Sequence, residues 1–335
     1  MTGAAGIVAI GRNEGDRFVA CMTSLPPGFP VVYVDSGSTD DSVAVARSHG
    51  AHVVELPPVP AFTAARARNA GLAALMTLHP EVELVQFLDG DCAIDGGWVH
   101  GAAEVLRARP DLAVVFGRRR ERFPDASFYN AQCDREWDVP IGEVRACGGD
   151  ALMRVSALRA VGGYCDDIIA GEEPDLCLRL RAAGWRIERL NAEMTMHDAN
   201  ILTFAAWWKR AKRAGHAYAE HVWRHRGSSD PDWVRQLLST VFWALVLPGA
   251  AAIALLTWRP FGWIALLLCA LILSVYPLQY ARLALRERRS GLSPAHARVS
   301  ARLMLLAKFA QLAGAVRFLR SRLARTPPRL IEYKR

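Results

Sequence analysis

Over residues 1–200 the chain alternates short apolar runs with longer mixed ones. Ile7 to Ile10, Val31 to Val34, Ala51 to Glu55 and Leu84 to Leu88 are short and apolar, with β-branched residues and turn formers at their ends. Runs of this kind predict buried parallel strands. Ser42 to His49 and Ala64 to Leu78, between them, have helical composition. Strand–helix alternation predicts an α/β domain with a mostly parallel sheet. Ligands of such sheets bind beyond the carboxyl ends of the strands, and Asp35 and Asp89 stand at two of those ends.

The pattern changes after residue 200. Trp207-Trp208-Lys209-Arg210-Ala211-Lys212-Arg213 opens a basic, aromatic stretch that reaches Arg226. Helices of that character lie in a membrane interface. Leu237 to Thr257 and Phe261 to Ala281 then carry no charged side chain. At ~1.5 Å per residue each spans ~30 Å, the thickness of a bilayer core. Only Trp258-Arg259-Pro260 separates them, which predicts a transmembrane helical hairpin. Ala295 to Arg322 has apolar residues at helical spacing, interrupted by Arg302, Lys308, Arg317 and Arg320. It reads as a basic amphipathic helix, on the inner leaflet or docked on the protein. The expected organisation is a domain over 1–200, an interfacial region over 201–235, a hairpin over 236–285 and a basic cytoplasmic tail over 286–335.

Composition agrees with a membrane part. Of 335 residues 52% are hydrophobic, and the mean hydropathy is +0.10. The net charge of +8 sits on both sides of the hairpin, over Lys209 to Arg235 and Arg282 to Arg289. The positive-inside rule places both flanks in the cytoplasm. The opening apolar run is too short for a secretory signal. A multi-pass protein of the inner cell membrane with its first domain in the cytoplasm is therefore expected. Membrane contact accounts for the basic charge, and no nucleic-acid-binding motif competes with it. The seven cysteines are scattered without a C-x-x-C pair, which argues against a zinc site or a disulfide framework.

The sharpest chemical feature is Asp89-Gly90-Asp91 after the strand Leu84 to Leu88. Two carboxylates at a strand end can share a hard divalent cation, Mn2+ or Mg2+, that neutralises a diphosphate. A second acidic turn, Asp35-Ser36-Gly37-Ser38-Thr39-Asp40-Asp41, follows another strand. There Ser38 or Thr39 can cap the next helix, with Asp41 three residues after Ser38.

In order along residues 5–200 these elements resemble the family 2 glycosyltransferases, which have a GT-A fold. Ala9-Ile10-Gly11-Arg12-Asn13-Glu14 is similar to the family's first strand and turn. Val34 to Asp40, Ala67-Arg68-Asn69-Ala70-Gly71 and Phe87 to Asp91 are similar to its next three elements. Gly148-Gly149-Asp150 through Arg154, then Val161-Gly162-Gly163-Tyr164, resemble its acceptor-side segment. Gly171-Glu172-Glu173-Pro174-Asp175-Leu176-Cys177-Leu178-Arg179-Leu180 resembles its E-D-x-D-L-x-x-R-L element.

The resemblance implies roles. Asp35 would bond the nucleobase, with Arg12 and Glu14 close to base or ribose. Arg68 would approach the nucleotide or its diphosphate, where a planar fork matches anionic oxygens. Asp89 would contact ribose or metal, and Asp91 would ligate the metal. His197 would complete the metal shell, since imidazole suits Mn2+, with Asp198 able to orient it. Gly149, Asp150 and Trp208 would lie on the acceptor side. Glu173, or its neighbour Glu172, would be the general base; the family has Asp where this chain has Glu173. Asp175 would buttress the helix start.

The reading is an inverting, metal-dependent transfer of a sugar from a nucleotide-sugar donor to a lipid-linked or glycan acceptor at the membrane, as in surface polysaccharide or glycolipid synthesis. Transfer to a polyprenyl phosphate is the related alternative. A nucleotidyltransferase would leave the Glu172-Glu173 element unexplained. An inactive scaffold would not need Asp35, Asp89, Asp91 and Glu173 all to remain acids.

Overall fold

The computed structural model describes residues 4–228 and 230–325. It divides into two compact units, residues 1–126 with 130–200, and 127–129 with 201–335.

The first unit runs β1 (Ala4–Gly11), α1 (Asp16–Thr23), β2 (Val31–Asp35), α2 (Ser42–Ser48), β3 (His52–Glu55), α3 (Ala64–Leu78), β4 (Val82–Asp89) and β5 (Cys92–Ile94). It continues with α4 (Trp98–Ala108), β6 (Leu112–Glu121), α5 (Phe128–Glu136), β7 (Gly142–Glu143), β8 (Ala151–Arg154), α6 (Val155–Ala160), α7 (Glu172–Ala182) and β9 (Arg186–His197). Among the described residues the strands form one sheet in the order β3-β2-β1-β4-β8-β6-β9-β5, with β7 also on β9.

The four expected strands are present, and β3, β2, β1 and β4 run parallel. The sheet as a whole is mixed rather than mostly parallel. β8 runs antiparallel to both β4 and β6, and β5 and β7 antiparallel to β9, while β6 and β9 are parallel. This mixed half escaped the sequence pattern for physical reasons. β5, β7 and β8 are two to four residues long, and β6 ends in Arg118-Arg119-Arg120-Glu121, a charged run that hides a strand.

Core packing explains two local choices. On α3, a Cβ at Gly71 would fall 2.3 Å from Val8 Cγ1 and 2.9 Å from Val34 Cγ2. The helix backbone therefore lies directly on β1 and β2, and no larger residue fits. At the start of α2 neither Ser38 nor Thr39 is the cap. The N–H and hydroxyl of Ser42 both donate to Asp40 Oδ1, at 3.1 and 2.6 Å. Ser38 Oγ instead accepts from the Asn13 N–H.

The second unit is helical. α8 (Phe204–Arg224) is capped by Thr203, which accepts from the Ala206 N–H. α9 (Pro231–Val241) starts on an Asp230 cap with Pro231 in the first turn. It passes through a π-helical turn, Phe242–Val246, into α10 (Leu247–Leu256). α11 (Trp258–Phe261), α12 (Trp263–Arg289) and α13 (Pro294–Leu323) follow. Three runs, Pro231–Leu256, Trp263–Arg289 and Pro294–Leu323, are long and apolar enough to cross a membrane. The third is the segment expected to be an amphipathic tail. It packs closely on α8: a Cβ at Gly215 would fall 1.9 Å from Gln311 O, and one at Gly314 1.9 Å from Lys212 O. Only glycine permits this backbone-to-backbone contact. On α12 the most apolar window is only 6% buried, so Leu267, Leu271 and Leu278 face outward.

Candidate active site

The parallel register brings three chain turns to one rim. Gly11 pairs with Asp35 and Ile10 with Asp89, so β1, β2 and β4 end level. The turns after β1 and β2 are joined to each other. Asn13, in the left-handed region at φ 54°, donates its N–H to Ser38 Oγ at 3.0 Å and accepts from the Thr39 N–H at 2.7 Å. Gly15 donates to Asp40 Oδ2. Asp35 is 3% exposed. Its Oδ2 accepts from the Gly37 and Ser38 N–H groups, and its Oδ1 from the Tyr33 hydroxyl. Burial and the adjacent Asp35 push the Tyr33 hydroxyl far up, so it remains a donor. Asp35 thus shapes its own turn. Arg12 lies over the Phe62 ring, and Glu14 pairs with Arg17 at 2.9 Å.

Arg68 is the hub. Its side chain, 2% exposed, extends from α3 beneath the rim. Nη2 donates to Asp89 Oδ1 at 2.8 Å, and Nη1 lies 2.9 Å from Glu173 Oε1 and 3.3 Å from Glu172 Oε1. One buried guanidinium therefore joins the acidic turn after β4 to the acidic first turn of α7. That turn starts on Gly171 in the left-handed region, φ 85°. Carboxylates at a helix N-terminus also meet its partial positive charge. Burial, then the charge of Glu172, raise Glu173 to about 7 against the pull of Arg68. Farther along α7, Asp175 accepts two bonds from Arg179, which also donates to Val161 O.

On the other side of the acidic turn, Asp91 Oδ1 lies 3.4 Å from His197 Nε2. The strand register produces this pairing: the last residue of β9, His197, stands opposite Cys92 on β5 and Glu121 on β6. Burial lowers the pKa of His197, so the ring is neutral and keeps a lone pair for a cation. Two ligands at right angles around an ion with bonds of ~2.1 Å stand about 3 Å apart, close to the spacing found. Asp91, Cys92 and His197 form one group able to hold a metal, and Asp89, Cys92 and Asp150 another. Burial pushes the Cys92 thiol well up, which leaves Asp91 and His197 as the fitting donors, hard oxygen and imidazole. Asp198, next in sequence, bonds Asp91 O through its backbone N–H. The carboxylate beyond the imidazole is that of Glu121.

Asp150 is buried and receives the Asp89 N–H, the Thr195 hydroxyl and Arg119 Nε at 2.9–3.0 Å. Gly149 presses on the same group, since a Cβ there would fall 2.5 Å from Arg68 Nη2 and 2.7 Å from Asp89 Oδ2. Both residues therefore support the acidic turn from below. Trp208 lies on α8 in the second unit, against Phe204. Sequence reasoning missed Arg119, Glu121 and Trp137. Arg119 bridges Asp89 and Asp150 with Trp137 against its guanidinium, and Trp137 meets the His197 ring edge-on at 4.7 Å. Arg119 and Glu121 sit in the charged end of β6, where a run of four ionic residues gave no sign of which ones point inward.

A parallel half-sheet with an acid-lined rim, completed by a mixed half, is the GT-A fold of glycosyltransferases. The same fold occurs in the mannosyltransferase PcManGT from Pyrobaculum calidifontis, solved in complex with GDP-Man and Mn2+ (TM-score 0.58, 16% identity, 94% of this chain and 86% of that one). The family model described as "Glycosyl transferase family group 2" matches residues 71–281, and the chain belongs to that family. It is similar to an uncharacterised glycosyltransferase of Mycobacterium tuberculosis, 29% identical over 194 residues, 53% of this chain and 79% of the relative. It is also similar to a pre-mycofactocin glycosyltransferase of that organism, 30% identical over 237 residues, 66% of this chain and 48% of the relative. The chain thus spans about half the length of the latter.

Proposed function

We propose that this glycosyltransferase moves a sugar from a nucleotide-diphosphate sugar to a hydroxyl of a lipid-linked or membrane-proximal acceptor, inverting the anomeric carbon, in surface polysaccharide or glycolipid synthesis. The observation that carries the reading is the bridge from Asp89 through Arg68 to Glu173. It ties the residue assigned to the donor to a carboxylate that titrates at about 7, the range a general base needs. Glu173 takes the proton of the acceptor hydroxyl as that oxygen bonds to the anomeric carbon. The bond from that carbon to the diphosphate oxygen breaks, and a nucleoside diphosphate leaves.

Asp91 and His197 would hold Mn2+ or Mg2+, with Asp89 beside them. When bound, the cation supplies Lewis-acid neutralisation of the leaving diphosphate. PcManGT, which shares the fold, was solved with Mn2+, and Mn2+ is therefore the first cation to test. Asp35, Arg12 and Glu14 line the nucleoside end. Arg119, held between Asp89 and Asp150, adds a fixed positive charge near the leaving group. The apolar runs over 231–256 and 263–289 cross the inner membrane in this reading, and their basic flanks keep the catalytic unit in the cytoplasm.

The test is release of nucleoside diphosphate by the detergent-purified chain, given a panel of nucleotide sugars, Mn2+ and membrane lipid extract. Release that requires Asp91 and Glu173 supports the reading. Release of pyrophosphate alone replaces it with a nucleotidyltransferase. Turnover that survives Glu173→Gln points to a polyprenyl-phosphate acceptor, which arrives already ionised.

A further inference from the structure

His197 has a second ring nitrogen, and what faces it is fixed by the fold. Glu121 ends β6 directly opposite His197 in the β6–β9 register. It is 3% exposed, in a strand end that otherwise carries three arginines. Its Oε1 accepts from the Phe123 N–H at 3.1 Å and Asn130 Nδ2 at 3.2 Å. Its Oε2 accepts from the Ala199 N–H at 3.0 Å and lies 3.8 Å from His197 Nδ1. Trp137 meets the ring edge-on at 4.7 Å. The carboxylate is thus anchored by two backbone groups and an amide, with one oxygen left beside the imidazole.

From this geometry we infer that Glu121 is a positioning residue for the metal site. At 3.8 Å its charge acts through space rather than by a hydrogen bond; it favours the tautomer with the proton on Nδ1 and so presents the Nε2 lone pair toward Asp91. A carboxylate behind a ligating histidine fixes the tautomer and makes the ligand more basic. The inference rests on the proposed reading of Asp91 and His197 as metal ligands. Glu121 also holds the backbone at Phe123 and Ala199, so its effect on the cation must be separated from a purely architectural one.

The experiment is a double-mutant cycle on Mn2+ affinity, measured by electron paramagnetic resonance of free Mn2+ with the full chain in detergent. Melting temperatures without metal are recorded for each variant. Glu121→Gln is expected to weaken Mn2+ binding 10–100-fold, and His197→Asn by at least as much. The double variant Glu121→Gln/His197→Asn is expected to bind no more weakly than His197→Asn alone, because Glu121 acts through the histidine. Additive losses overturn the inference, as does a Glu121→Gln affinity within about twofold of wild type. If Glu121→Gln does not fold, Glu121→Asp takes its place: its carboxylate falls short of the ring, and unchanged affinity counts against the role. A wild-type chain that binds no Mn2+ overturns the metal-site reading and this inference with it. Normal wild-type binding with an unaffected Glu121 variant overturns the inference alone.

Discussion

Arg68→Met removes the guanidinium that touches both acidic turns. Met keeps most of the volume and none of the charge, so the change isolates electrostatics from packing. Asp89, Glu172 and Glu173 would then face each other with Arg68 gone from a site where it was 2% exposed. Breaking a buried ion pair from one side costs about 3–5 kcal/mol. For a unit of this size 1 kcal/mol shifts the melting temperature by about 2–4 °C, so a fall of roughly 10 °C is expected at pH 8. The fall should be smaller at pH 6, for a reason of linkage. The folded Glu173 titrates at about 7, above the ordinary glutamate value of 4.5, so the folded chain holds a proton that the unfolded chain loses. Stability from this group is complete below pH 4.5 and is lost as pH rises toward 7. At pH 6 Glu173 is largely protonated and needs Arg68 less. The assay is tryptophan-fluorescence melting in detergent at both pH values, with Arg68→Met/Glu173→Gln as the partial rescue. A melting temperature within 2 °C of wild type at pH 8 would refute the idea that Arg68 holds the two turns together.

Three further outcomes follow from the same geometry. Wild-type kcat/KM should rise with pH around a midpoint of about 7, since only deprotonated Glu173 accepts a proton, and Glu173→Gln should lower kcat by 10²–10⁴ with the donor KM nearly unchanged; a flat profile from pH 5.5 to 8.5 counts against this base. Gly149→Ala places a methyl 2.5 Å from Arg68 Nη2 and should weaken nucleotide-sugar binding about tenfold through Asp89, read by calorimetric titration; wild-type affinity would mean the pair can move aside. Gly314→Leu forces α13 off α8, where a Cβ already meets Lys212 O at 1.9 Å; overpacking should cost about 1–3 kcal/mol or more, seen as a lower detergent melting temperature, and no change would mean the helices do not depend on that contact.

In the parallel half of the sheet β1, β2 and β4 were legible because they are mostly buried and so read as nearly unbroken apolar runs, and the edge strand β3, with its exposed His52 and Glu55, was legible from its two valines. The rim acids Asp35 and Asp89 were legible for the same reason: a carboxylate directly after such a run marks a strand end. Gly71 could be noticed as part of a motif, but its press on Val8 and Val34 comes from the packing of α3 on β1 and β2. The rest of the site comes from pairing across long sequence separations. Asp150 joins Asp89 across 61 positions, and Glu121 meets His197 through a parallel pairing that skips several elements. Nothing in a local pattern encodes such a register. Burial is equally hidden: Arg68 and Arg47 are both helix arginines in sequence, yet one is 2% and the other 62% exposed.

The charges at the site constrain the order in which ligands can bind. Six carboxylates, of Asp89, Asp91, Glu121, Asp150, Glu172 and Glu173, stand against the guanidiniums of Arg68 and Arg119. His197 contributes no charge, because burial keeps it neutral. Even with Glu173 protonated, negative charge exceeds positive by three. A diphosphate brought to this rim alone would add like charge to a site of low dielectric, where repulsion is strong. A divalent cation offsets most of that excess and neutralises the diphosphate directly, so donor and cation should bind with positive coupling, and each should tighten the other by the same factor. Nucleoside diphosphate titrated calorimetrically with and without Mn2+ measures that factor directly. An affinity indifferent to Mn2+ would place the diphosphate on Arg119 and backbone groups instead, and would remove the cation from the donor site.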